Sequence, residues 1–119
     1  MPSNAQARDD VLQAARQYGA ALGEHIIAVF GEQIPNEKVD EAVALVTAEI
    51  FRRIEEMSSQ NVAAVIVLDW GHECVNALQD RILEHTGYLL MAAALVGFDP
   101  WPAVLRSSRR AREASRRGD

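Results

Sequence analysis

The chain of 119 residues contains a single cysteine, Cys74. It cannot close a disulfide on itself, and nothing in it asks for an oxidising compartment. Long hydrophobic runs are missing too. The two longest, Val62–Leu68 and Tyr88–Phe98, fall well short of the roughly 20 residues that a membrane span needs, which argues against a membrane partner. The opening stretch Met1–Asp10 lacks the basic-then-apolar pattern of a secretory signal, so the expected location is cytoplasmic. There is no internal repeat, no glycine-rich phosphate loop and no second cysteine at metal-ligand spacing, and no cofactor is expected. Aromatic residues are scarce, at 6%, and alanine is common, which favours helix over sheet.

What is present suits one globular domain. Apolar residues make up 49% of the chain and charged residues 24%, far from the composition of a disordered chain. Val11, Leu12, Ala15, Tyr18, Gly19, Leu22, Ile26, Val29 and Phe30 repeat at helical spacing and predict a first helix from about Asn4 to Phe30. Gly31 is its expected stop, with Pro35 beyond. Asn36 is the expected cap of a second helix, whose stripe Val39, Val43, Val46, Ile50, Ile54 and Met57 is the cleanest pattern in the chain. Ser58 and Ser59 mark a break. A third segment runs from about Gln60 to Thr86. Its β-branched start, Val62–Leu68, could form a lone strand, but no second strand exists to pair with it, and Leu68, Val75, Leu78 and Ile82 continue a helical face. The apolar segment Tyr88–Val96 follows Gly87 and ends at Gly97. Asp99 and Pro100 then start a last helix. The predicted fold is all-α: a compact bundle of four or five helices over residues 1–105, with an arginine-rich C-terminal tail over 106–119.

The net charge of −5 is unevenly spread. The tail holds Arg106, Arg109, Arg110, Arg112, Arg116 and Arg117 against Glu113 and Asp119, a net +4. The rest carries six basic and fifteen acidic side chains, a net −9. Opposite charges attract, so the tail should seek an acidic surface: its own body, a neighbouring subunit or nucleic acid. Arginine pairs well with phosphate, which makes DNA or RNA contact through these six residues an alternative. Yet no aromatics interleave with them, and the acidic body would repel a polyanion. From Ser107 to Asp119 no core residue is expected, so deletion of that segment should leave the fold little changed.

One constellation invites metal chemistry. Asp69, Glu73, Asp80 and Glu84, with Asn76, fall within roughly 80° of helix circumference, and aligned carboxylates can hold magnesium or manganese. The same stripe lies opposite Leu68, Val75, Leu78 and Ile82, as the solvated face of an amphipathic helix would. Leu78-Gln79-Asp80, Gly87, Ala92 and Gly97-Phe98-Asp99 resemble the later helices of the all-α nucleoside-triphosphate pyrophosphohydrolases. That resemblance implies a magnesium-dependent nucleotide hydrolase with paired Glu-x-x-Glu and Glu-x-x-Asp motifs. Here Ala77 stands where the glutamate preceding Asp80 belongs, and the second helix has no Glu-x-x-Glu. His72 and Cys74 sit roughly 200° apart on a helix and cannot readily grip one ion.

The leading expectation is therefore a non-catalytic interaction or regulatory protein, a homo-oligomer or the subunit of an assembly. Val62, Val65, Ile66 and Trp70, apolar on every side of the third helix, are its expected interface, and Tyr88–Phe98 adds further apolar surface.

Overall fold

The structure, a computed structural model, describes residues 4–117. Five α-helices account for most of them: α1 (Asn4–Phe30), α2 (Val39–Ser59), α3 (Ala64–Leu83), α4 (Leu89–Leu95) and α5 (Trp101–Arg117). Among the described residues there is no strand, only an isolated bridge between Gln33 and Gly87. The chain is an all-α bundle, and Val62–Leu68 enters a helix rather than a strand.

α1 lies along α3. Ala15, Gly19 and Gly23, four residues apart, line one face of α1 and bring the two backbones together. A Cβ on Gly19 would stand 2.1 Å from the carbonyl oxygen of Cys74, and one on Gly23 would stand 2.9 Å from Cβ of Arg81. Leu22 and Ile26 are buried beside this contact, and Tyr18 packs its ring 5.4 Å from that of Trp70. Gly31 ends α1 as the sequence predicts. Its φ of +86° is left-handed, and its N–H donates to the Ile27 carbonyl at 2.8 Å.

The expected Asn36 cap does not form. Asn36–Lys38 make a short 3₁₀ turn, α2 starts at Val39, and neither element has a side-chain cap. The Pro35 carbonyl, which accepts the Lys38 N–H at 2.8 Å, supports this turn through backbone alone. Val39, Ala42, Val46, Ile50, Ile54 and Met57 form the buried face of α2. α2 ends at Ser59, where the two serines marked a break, and the turn beyond it is made by Gln60 and Asn61. Asn61 takes a left-handed φ of 63°, Val62 donates back to the Met57 carbonyl, and Asn61 donates to that of Ser58. Asparagine tolerates this conformation better than most residues. The four residues 60–63 thus replace the expected start of α3.

α4 is held from beneath. Tyr88 is fully buried, and its hydroxyl donates to the Gly31 carbonyl, tying the start of α4 to the end of α1. Asp99 accepts the Trp101 N–H at 3.0 Å and so caps α5 as predicted. Pro100 is buried against Gly71, where a Cβ would meet it at 2.9 Å. α5 runs without a break across the expected boundary between body and tail, and Ser107, on the far side of that boundary, is buried. The core therefore reaches further into the tail segment than the sequence reading placed it.

Candidate functional site

The acidic stripe of α3 is engaged by α1. Arg8 reaches Asp69 at 2.5 Å, and Arg16 reaches Glu73 at 3.4 Å. Further along, Arg81 sits between Glu24 at 3.5 Å and Glu84 at 2.5 Å. Asp80 is exposed. The charges alternate across the two helices and flank the glycine contact, so they favour one register of α1 on α3. Exposed pairs of this kind each contribute at most about 1 kcal/mol. Among the described residues, no three His, Cys, Asp or Glu side chains converge as a metal site would require.

Cys74 is fully buried at the α1–α3 contact, and burial pushes its thiol up to about 12. A thiol so seldom ionised is a poor nucleophile and a poor metal ligand. Its neighbour His72 is exposed. His85 sets its ring edge against Tyr88, at 6.1 Å between centroids.

A cleft of about 450 Å³ opens between α1 and α2, with Tyr18, Leu22 and His25 on one wall and Leu45, Glu49 and Arg52 on the other. Its charges are satisfied within α2. Arg52 bridges Glu49 at 3.1 Å and Glu56 at 2.7 Å, and Arg53 reaches Glu56 at 2.6 Å. Hydrogen bonding from Arg53 is the main force holding the Glu56 carboxyl below its usual range. Tyr18 is shifted the other way, its phenol raised chiefly by burial. Such a cleft is an open, mostly apolar groove in which Arg52 is already paired with carboxylates.

The four residues expected to form an interface do not share one exposed face. Trp70 is 3% exposed, Val62 and Ile66 are half-covered, and only Val65 stands out, at 63%. α1 covers Trp70 and Cys74, because the glycine contact draws it down over them. The arginines divide as well. Arg106, Arg109 and Arg110 are exposed on α5, and Arg110 approaches Glu55 of α2 at 3.6 Å. The side chains of Arg112, Arg116 and Arg117 lie outside the described ones.

Among the described residues, three of the four most exposed large hydrophobic side chains lie on α4 or at its C-terminal cap. Met91, Ala92 and Leu95 face the core, whereas Leu89, Leu90, Ala93 and Ala94, with Val96 and Gly97 just past the end of the helix, are exposed. Leu89 is 58% exposed, Leu90 56% and Val96 78%. At the N-terminal end of this face, Ile34, Asn36, Thr86 and Gly87 join the two leucines and Gln33 around a depression of about 420 Å³. The sequence signal for this surface is the stretch between His85 and Asp99, which has no charged side chain. It marks the segment as apolar without telling which side is covered.

No family model matches this chain, and no curated protein or solved structure matches it either.

Proposed function

We propose that this chain is a non-catalytic interaction protein, a regulatory or assembly component that acts by docking another protein. The observation that carries the reading is the outward face of α4, where three large aliphatic side chains and two alanines meet solvent with no polar group among them. A soluble fold that leaves a whole helix face apolar gains by covering it with a partner. The chemistry elsewhere agrees with this. Asp69 and Glu73 of α3 are tied to arginines of α1, Glu49 at the α1–α2 cleft is paired within α2, and the single thiol is buried and held neutral. The buried lone cysteine also suits a cytoplasmic setting, where thiols stay reduced.

The α5 arginines fit the same reading better than a nucleic-acid one, since Arg110 already turns toward a carboxylate, Glu55. The experiment is a pull-down from the native host with the wild-type protein and with Leu90→Glu. The reading expects a protein captured by the wild type and lost with the variant. Equal capture by both would refute it, and so would tight, salt-sensitive retention on duplex DNA with no protein captured.

A further inference from the structure

We infer that the outward face of α4 is the docking site for a second copy of this chain, with the two α4 helices antiparallel across a two-fold axis. The inference rests on the reading of the chain as an interaction protein and names the partner of that same face.

The first support is charge. Each copy carries a net −5, so two copies repel wherever their acidic surfaces meet. From Thr86 to Phe98 there is no acid or base apart from the buried phenol of Tyr88. A two-fold contact sets each patch against its own copy, so any charge on it would face its like. This face is free of that penalty. It also offers no charge by which to recognise an acidic or basic partner.

The second support is shape. At 100° per residue, Leu89 and Val96 lie on nearly the same side of α4, about 10 Å apart along its axis. Leu89 borders the depression at the N-terminal end, and Val96 stands 78% exposed at the other. One end of the face is hollow and the other protrudes. Antiparallel pairing brings each Val96 to its partner's depression, so the surface complements itself. Ala93, near the middle, is small enough to let the helices approach closely.

The third support is area. The outward face offers on the order of 500 Å² of apolar surface, comparable with the apolar centre of a standard interface that buries ~800 Å² per partner.

Light scattering over a concentration series tests the proposal. The wild type should reach twice the chain mass. Leu90→Glu and Val96→Glu should each weaken the dimer by roughly thirtyfold or more, whereas Val65→Glu, an exposed apolar site on α3, should leave it intact. Dichroism checks that each variant folds, which the exposure of all three sites favours. A second measurement does not depend on the charged variants. Ala93→Cys, nearest the axis, should form an intermolecular disulfide with oxidised glutathione, and Val65→Cys should not; the buried Cys74 stays silent. A dimer indifferent to both α4 charges, or one that cross-links at Val65→Cys rather than Ala93→Cys, overturns the proposed face. A monomeric wild type overturns the second copy as occupant. If that monomer still captures a different protein through Leu90, the interaction reading survives alone; if it captures none, both fall.

Discussion

Replacing Gly19 by alanine adds one methyl group where, among the glycines of the described residues, a Cβ would meet the closest obstacle. Its Cβ would lie 2.1 Å from the Cys74 carbonyl oxygen and 3.1 Å from Cβ of Ala77. Neither neighbour can swing aside, because one is backbone and the other is a side chain with no rotamer to change. α1 must therefore move away from α3 by about 1 Å. A gap of that size forfeits roughly a quarter to a half of the dispersion energy of each contact it opens. Overpacking of this kind costs about 1–3 kcal/mol, and a rigid backbone obstacle puts it at the upper end. Alanine's better helix propensity returns about 1 kcal/mol. The expected net loss is about 2 kcal/mol, a Tm drop of roughly 8 °C for a chain of this length. The assay is thermal unfolding followed by far-ultraviolet dichroism, with two controls. A Cβ on Gly97 meets nothing within 4 Å, so Gly97→Ala should be neutral or slightly stabilising. Gly31 also faces open space but has a φ of +86°, so Gly31→Ala should cost about 1–2 kcal/mol by backbone strain alone. If Gly19→Ala melts with Gly97→Ala, the close approach of α1 and α3 is not what holds them.

Ile50→Ala empties a fully buried site in the middle of the α2 stripe and should cost about 2–5 kcal/mol in urea unfolding; an unmoved midpoint would mean that the stripe is not core. Cys74, with its thiol pushed up to about 12 by burial, should ignore a disulfide reagent at neutral pH in the folded protein and react at once in denaturant. Rapid reaction in the native state would show that α1 opens from α3. Truncation before Ser107 removes a buried side chain and should lower the Tm. Truncation after Arg110 keeps Ser107 and the Glu55 pair and should barely shift it. Equal melting of the two shortened chains would remove the structural role given to Ser107 and Arg110.

Some of this protein was decided by residues close together in sequence, and that part was legible. The stripe from Val39 to Met57 announced α2, Gly31 stopped α1, and Asp99 capped α5, because helix periodicity and caps involve partners only a few positions away. Even there, local logic could mislead. Asn36 had the chemistry of a cap, but a 3₁₀ turn placed it one turn early, and the left-handed turn at Asn61 that follows Ser59 was not foreseen.

The rest depended on partners that the sequence does not bring near. An acidic stripe on α3 reads as solvent-facing or metal-binding until Arg8 and Arg16, 61 and 57 residues away, are seen to meet it. Gly19 lies on the predicted face of α1, but the benefit of Gly19 and Gly23 lies in how closely α3 can approach, which periodicity does not record. Along Val62–Trp70 and Tyr88–Phe98 the sequence is apolar on every side, so periodicity contains no information about which side is covered. Tertiary packing answered that question in opposite ways. α1, drawn close by its glycines, covered Trp70, whereas α4, at the margin of a bundle with no sixth helix among the described residues, kept Leu89, Leu90 and Val96 in water. Burial is a property of how many neighbours surround a helix, and that number is fixed only when the whole chain has folded.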